Sequence, residues 1–297
     1  MKILLLGKNG QVGHELLRTL YPLGEVIALD RNQVDLADKD RLREIVRGHG
    51  ADVIVNAAAY TAVDRAEEEE RLAFQINADA VELLADHARH NGTLLVHYST
   101  DYVFDGKKDT PYVETDITNP PNVYGKSKLA GELAVQQAGC HHFIFRTSWV
   151  HAFHGQNFIK TIWRLGKERE TLNVVADQTG APTSAELIAD VTALSIAAFY
   201  RDILPEGIHH LVASGETSWY GLACYLMDQA SRKNRPMKLT SAGITPITSE
   251  EYPLPARRPH NSRLDNSALS RSLGFQLPDW HVHVDRIIEQ LVQVEPA

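Results

Sequence analysis

Tyr124 and Lys128 stand four residues apart in the run Tyr124-Gly125-Lys126-Ser127-Lys128. On a helix this spacing puts both side chains on one face. A nearby ammonium stabilises a phenolate and lowers the phenol from its reference pKa of about 10. Such a tyrosine can give a proton to a carbonyl oxygen and take it back in the reverse direction. Taken alone, the pair also fits an ordinary surface helix that carries a lysine. Ser99-Thr100-Asp101 follows the fourth apolar run, and a hydroxyl there can hydrogen-bond the same carbonyl oxygen as charge develops on it. A capping turn is the other reading of that trio.

A proton donor for a carbonyl needs a hydride donor, and the N-terminus offers a place for one. Gly7-Lys8-Asn9-Gly10-Gln11-Val12-Gly13 follows the first apolar run. Gly7 suits a tight turn, Gly10 lets the backbone approach a pyrophosphate, and Gly13 lets a helix pack closely on a strand. The helix N-terminus adds free N–H groups and partial positive charge. The spacing is GxxGxxG, one residue longer in its first gap than the dehydrogenase fingerprint. Asp30 ends the second apolar run, where an acid can bond the adenosine 2′-hydroxyl. That favours NADH, whereas Arg31 beside it is able to accept a 2′-phosphate, so NADPH stays open. A strand-end turn is the plainer role for Asp30. Asp35-Leu36 resembles the pair that flanks adenine in dinucleotide-binding folds. Ala57, Ala58 and Ala59 are small enough to bring the backbone near a cofactor, or to pack tightly without one.

These residues need a scaffold that brings them to one edge. Strands are predicted at Lys2–Leu6, Glu25–Leu29, Asp52–Asn56, Leu94–Tyr98 and Phe143–Arg146, with helices at Gln11–Leu20, Asp38–Gly48 and Glu67–His90 between them. Short apolar runs alternating with helices call for a parallel sheet covered on both faces. The expected fold class is therefore α/β, a Rossmann-type doubly wound sheet with a smaller C-terminal α/β substrate lobe. Residues 1–150 are assigned to the dinucleotide-binding domain and residues 151–297 mainly to the substrate lobe, with later segments returning to the first domain. In the second half, strands are predicted at Val174–Asp177 and His209–Ala213, and helices at Ala185–Phe199 and Val282–Val294. A further helix capped by Ser218 should run through Met227, Pro246–Pro259 reads as a loop, and Asp265 is expected to cap a short helix.

The 297 residues are 43% hydrophobic and 23% charged, enough for a sizeable core with a polar surface. A net charge of −8 argues against a nucleic-acid partner. Cys140 and Cys224 are the only cysteines. They are far apart and read as reduced thiols rather than as a disulfide or metal site. The apolar start Met1–Gly7 is too short for a signal peptide, and no run reaches the ~20 apolar residues of a membrane span. The expectation is a cytoplasmic protein with no membrane partner. The acidic run Glu67–Glu70 reads as the first turn of a helix. The histidine pairs at 141/142, 209/210 and 281/283 lack metal-ligand spacing and read as structural.

Taken in order, the chain resembles the extended short-chain dehydrogenase/reductase superfamily and, within it, the dTDP-4-dehydrorhamnose reductases. The resemblance covers nearly the whole chain. It rests on the glycine loop, on Val55–Asp64, Ser99–Phe104, Asn122–Gly125, Arg146–Val150 and Asp177–Thr183, and most specifically on Pro255-Ala256-Arg257-Arg258-Pro259-His260-Asn261-Ser262. It implies reduction of the C4 ketone of a dTDP-sugar by NADPH or NADH, with Tyr124 as proton donor, Lys128 as its activator and Thr100 as hydroxyl partner. It places Gly10, Gln11, Val12, Asp30, Asp35, Leu36, Ala59, Tyr60, Thr61 and Tyr98 at cofactor positions. Thr100, Asp101 and Trp149 fall at sugar-nucleotide positions, and Ser99 lies beside them. An aromatic face such as Trp149 packs well on a sugar or base, although a core tryptophan is the alternative. Arg257 and Arg258 either bind the diphosphate through charge-assisted bonds or form a solvated basic turn.

Sugar 4,6-dehydratases of the same superfamily carry Thr-Asp-Glu at the active-site turn. Tyr102 fills the third place here, which disfavours dehydration. Some of the reductases hold Mg²⁺ at a homodimer interface through carboxylates. Glu15 and Glu186 match two of those places, but the third is Gln290, with Glu289 adjacent, so neither metal nor dimer is assigned. Two other functions stay open at this stage: a catalytically silent dinucleotide-binding regulatory subunit, and a reductase or epimerase of another sugar nucleotide.

Overall fold

The computed structural model describes residues 1–294. Six strands form one sheet: β1 (Lys2–Leu6), β2 (Glu25–Leu29), β3 (Val53–Asn56), β4 (Leu94–Thr100), β5 (His142–Thr147) and β6 (Gly207–His210). Their order is β6-β5-β4-β3-β1-β2, and every pairing is parallel. The strands look uniformly apolar because both sheet faces are covered, yet their side chains still alternate. Ile3, Leu5, Val53, Val55, Phe143 and Phe145 enter one core, while Leu4, Leu6, Ile54 and Ile144 enter the other. Each such side chain contributes roughly 1.5–3 kcal/mol on burial.

Nine helices carry the rest of the argument: α1 (Gln11–Leu20), α2 (Lys39–His49), α3 (Ala80–Asn91), α4 (Val123–Ala138), α5 (Phe158–Glu168), α6 (Ala185–Phe199), α7 (Trp219–Arg232), α8 (Ser267–Leu273) and α9 (Trp280–Val294). Leu42 and Val46 of α2, Leu84 and Ala88 of α3 and Val135 of α4 close one sheet face. Leu16 of α1, Ile188 of α6 and Leu226 of α7 belong to the other core. The direction of winding reverses between β1 and β3, and such a switch point opens a crevice at the C-terminal ends of the strands.

The predicted β1, β2, α1 and α6 match residue for residue. Five predicted elements need correction. The single helix expected over Glu67–His90 is broken into Val63–Ala66, Glu70–Phe74 and a π-helical turn at Gln75–Asp79 before α3. That turn has a cause: Asn77 donates to the Tyr60 carbonyl and to Ser127 Oγ, both at 3.0 Å, and accepts from the Tyr60 N–H at 2.9 Å. The strand expected at Val174–Asp177 lies at Leu172–Val175 and pairs with Ile244–Ile247. The predicted loop therefore begins in a strand, where Pro246 is tolerated because a two-stranded sheet has only edge strands. The last sheet strand ends at His210 rather than Ala213. Asn266, not Asp265, occupies the N-cap position of α8, although the Asp265 carboxylate still accepts the Ser267 N–H at 2.8 Å. Ser218 caps α7 as expected, and the helix continues to Arg232.

Cys140 and Cys224 are free thiols. No helix among the described residues is long and apolar enough to cross a membrane.

Candidate active site

A cleft of about 740 Å³ runs along the C-terminal ends of the strands. The ends of β1, β2, β3, β4 and β5 all deliver residues to it, including Gly7, Asp30, Ala57, Ser99 and Ser148. Gly10, Gln11, Val12, Asp35, Leu36, Ala58, Ala59, Thr61 and Tyr98 line the same space, as do Thr100, Asp101, Tyr124, Lys128 and Trp149. A larger hollow, about 1130 Å³, opens at the other end of the strands around Met1, Asp52 and Thr93, and none of the residues above reaches it.

The glycine loop works through backbone geometry. Gly7 has φ +86°, and a Cβ there would lie 2.7 Å from the Ala58 nitrogen. A Cβ on Gly13 would sit 2.0 Å from the Gly7 carbonyl oxygen, so Gly13 serves the packing of α1 on β1 rather than lining the cleft. Gly10 differs: a Cβ there would meet only the Gly7 carbonyl oxygen, at 3.4 Å. Its open side faces the cleft, which leaves space for a phosphate at the start of α1. The residues present thus fit a dinucleotide.

Asp30 does two jobs. Its Oδ1 accepts the Asn32 and Gln33 N–H groups, and its Oδ2 faces Lys8 Nζ at 3.5 Å. These donors hold the carboxylate below its usual range against a desolvation that opposes them. Arg31 is paired with Asp35 at 3.0 Å. Tyr98 donates to or accepts from Thr192 Oγ1 at 2.8 Å, and burial pushes its phenol up. Tyr60 does not line the cleft. Its hydroxyl donates to Glu69 at 2.7 Å, and Arg65 clasps the same carboxylate.

Tyr124 and Lys128 occupy the first turns of α4, whose N-cap Asn122 accepts the Gly125 N–H at 2.8 Å. Both point into the cleft, with Thr100 and Asp101 across from them. Thr100 Oγ1 donates to Asp101 Oδ1 at 3.0 Å and is hydrogen-bonded to Tyr124. Burial holds Asp101 up at about 7, against hydrogen bonds from Ser262 and Thr100 that pull it down. Asp101 Oδ2, Ser99 Oγ and Thr147 Oγ1 are buried without a partner. Orphaned polar atoms on a cleft wall are free to meet a ligand.

The expected acidification of Tyr124 by Lys128 is not what the site produces. Burial pushes the Tyr124 phenol up, the Asp101 carboxylate pushes it further, and the Thr100 hydrogen bond works against both. Lys128 is not among the groups that set the phenol's proton affinity. Lys128, 2% exposed, is itself drawn down to about 8 by burial, with Glu132 one turn further along opposing that. Tyr124, Lys128 and Glu132 form one stripe at i, i+4 and i+8. Glu132 in turn takes a bidentate pair from Arg146, with Nη2 at 2.7 Å and Nε at 3.0 Å. Lys128 Nζ lies 3.3 Å from His97 Nε2.

The Pro255–Ser262 segment straps onto two distant parts of the chain. Arg258 is committed to Asp64 through two bonds of 2.8 and 2.7 Å, and Arg257 is exposed while its carbonyl accepts Asn122 Nδ2 at 2.8 Å. Neither arginine lines the cleft. The Glu67–Glu70 run is not a first turn: Glu67–Glu69 link two short helices and only Glu70 starts one, and Glu67 accepts the Val123 N–H at 2.9 Å. Asn122, Asp64, Glu67, Ser262 and His97 therefore brace α4 and the Thr100–Asp101 turn, a role read for none of them from the sequence.

Trp149 sits at φ +49°, a left-handed conformation costly for a bulky side chain. It stacks on Trp219 at 3.6 Å between ring centroids, and a Cβ on Gly180 would press to 2.7 Å from its indole. Trp219, which also lines the cleft, was visible in the sequence only as the residue after a helix cap. Glu186 is paired with Arg286 at 2.7 Å, Glu15 lies 3.7 Å from Arg18, and Glu289 faces Lys233 at 3.5 Å. Among the described residues no three His, Cys, Asp or Glu side chains group as a metal site.

Parallel sheet, glycine loop and a Tyr–Lys helix on one cleft define an oxidoreductase-type Rossmann fold. The chain belongs to the family whose model is described as RmlD substrate binding domain, which matches residues 1–293. It is 50% identical over 295 residues to dTDP-4-dehydrorhamnose reductase of Escherichia coli K12, covering 98% of each chain. Among solved structures, a dTDP-4-dehydrorhamnose reductase from Clostridium acetobutylicum superposes with TM-score 0.89 at 36% identity, covering 98% of this chain and 99% of the other. The Bacillus anthracis enzyme of that name, in complex with NADP, gives 0.86 at 34% identity over 97% and 99%.

Proposed function

We propose that this protein reduces the C4 ketone of dTDP-4-dehydro-L-rhamnose to dTDP-L-rhamnose with NADPH or NADH, as a cytoplasmic step in supplying rhamnose for cell-surface polysaccharide. The observation that carries the reading is a single cleft holding the glycine loop at one end and Thr100, Tyr124 and Lys128 at the other. The cofactor, when bound, supplies the hydride. Gly7, Gly10, Gln11 and Val12 would hold its pyrophosphate, Asp30 its adenosine ribose, and Asp35 and Leu36 the adenine side.

The chain's own residues handle the proton. A phenol pushed up by burial stays protonated at neutral pH, which is the form an acid must have. As negative charge grows on the carbonyl oxygen, the Tyr124 O–H bond breaks and a new O–H bond forms on the substrate. Thr100 holds that oxygen by a hydrogen bond, and Lys128 as an ammonium steadies the phenolate left behind. Trp149 and Trp219 offer an aromatic wall for the sugar nucleotide, and Gly155 and Trp219 are what the second half of the chain brings to the cleft.

A silent regulatory subunit would have no need for an orphaned Asp101 oxygen beside an intact Tyr–Thr–Lys set. The test is oxidation of NADH and NADPH followed by absorbance, with and without dTDP-4-dehydro-L-rhamnose. Turnover that requires the keto sugar supports the reading. Folded protein that binds dinucleotide but turns over with neither cofactor refutes it.

A further inference from the structure

After Trp149 the chain crosses to the glycine loop over residues 152–157, where Gly155 lines the cleft. Gly155 has φ +79°, and a Cβ there would meet Gln11 Cγ at 3.2 Å. Residues on either side of Gly155 grip the start of α1. His154 Nε2 lies 3.0 Å from the Asn9 carbonyl oxygen, which can only accept, so Nε2 carries a proton and donates it. The Gly10 N–H donates to the Gly7 carbonyl at 3.0 Å, so the Asn9–Gly10 peptide is tied at both ends. The His154 ring also stacks on His14 of α1, with 4.3 Å between centroids and 11° between planes.

Asn157 fixes a side chain instead. Its Oδ1 accepts the Lys160 N–H at 3.1 Å and caps α5. The other end of that amide is therefore an NH₂, and it donates to Gln11 Oε1 at 2.9 Å and to the Ala152 carbonyl at 2.6 Å. Gln11, which lines the cleft, thus spends its oxygen on Asn157. Its own NH₂, a donor, is the end left to meet an anion. Lys160 Nζ donates to the Phe153 and Gly155 carbonyls at 3.0 and 2.7 Å, so α5 anchors the loop backbone. The stacked histidines at the opposite end are both exposed.

We propose that residues 152–157 are a clasp on the pyrophosphate, in which His154 and Asn157 are positioning residues that set the Asn9–Gly10 peptide and the Gln11 amide for phosphate binding and so slow release of the dinucleotide. The inference rests on the dinucleotide cleft of the proposed reductase and makes no use of the sugar. Stopped-flow fluorescence tests it on the full-length protein, by chasing bound NADPH with excess NADP⁺. His154→Ala and Asn157→Ser, in which serine keeps a cap for α5, should each release NADPH about five- to tenfold faster. Tm and the keto-sugar KM should not move. ADP-ribose, which carries the pyrophosphate, should lose affinity in both variants, while AMP, which lacks it, should not. Because Asn157 acts through Gln11, Asn157→Ser should add nothing in a Gln11→Leu background. Release at the wild-type rate in both variants overturns the proposal. So does additive loss in that double variant, or an equal weakening of AMP, since either would reduce the loop to packing. Clasp-dependent release from a protein that reduces no keto sugar would refute the reductase and leave the clasp standing. A wild type that binds no dinucleotide would sink both.

Discussion

The two ends of the cleft are built on different principles. At the glycine loop, function resides in what is missing: Gly7, Gly10 and Gly13 leave room for a turn, a ligand and a helix contact within seven consecutive residues. At the Tyr124 end, function resides in side chains drawn from four stretches far apart in the chain. Asn122, Glu67, Asp64 with Arg258, His97 and Ser262 all converge on α4 and the Thr100–Asp101 turn. The first kind of site is local and tolerates no added atoms. The second is assembled and depends on partners staying paired.

That contrast makes graded predictions. Gly13→Ala should have the largest effect, because its methyl would collide with the Gly7 carbonyl. Loss of soluble protein or of NADPH binding, read by fluorescence titration, is expected. Gly10→Ala should fold normally, its Cβ having only a 3.4 Å neighbour, yet raise the NADPH KM by about tenfold through crowding of the phosphate. If both variants behave alike, the glycines are not dividing the work. Lys128→Met should lower kcat by roughly 10²- to 10⁴-fold, and the wild-type rate should decline as pH rises through about 8, where Lys128 loses its charge. A flat profile to pH 10, about two units higher, would remove lysine from the chemistry.

Smaller effects are expected from the strap. Asp64→Ala leaves Arg258 without its bidentate partner and should cost about 1–3 kcal/mol of stability. Because Asp64 also accepts the Ala256 N–H, the same variant should loosen the Asn122 contact and reduce kcat/KM by about tenfold. Unchanged Tm and kinetics would show the strap to be incidental. Smallest is the effect of Asp101→Asn. Asp101 is held up at about 7 against a reference of 3.8, so the folded state binds its proton more tightly than the unfolded chain. Its contribution is fully present below about pH 4 and is lost as pH rises through about 7. The asparagine variant should flatten that part of the Tm-against-pH curve; an unaltered slope would place the titration elsewhere.

The same contrast explains what the sequence revealed. The sheet strands and α1 were legible because alternation, run length and glycine spacing are local signals. The cofactor wall followed from them, and Tyr124, Lys128, Thr100 and Trp149 do meet in one cleft. The π-helical turn was not legible, because it answers to Asn77 bonding across to Tyr60 and Ser127. Arg258 read equally as a phosphate ligand or a solvated basic turn, and neither reading foresaw Asp64, 194 residues earlier in the chain, as its partner. His97 read only as a polar residue inside a strand. Nor could spacing alone reveal that burial and Asp101, rather than the lysine, set the proton affinity of Tyr124.

The central claim is that Tyr124 donates the proton while the glycine loop binds the dinucleotide independently. Tyr124→Phe should keep the NADPH Kd within about twofold and lose at least 10²-fold in kcat with the dTDP-4-keto sugar. Near-normal turnover in that variant would contradict the account.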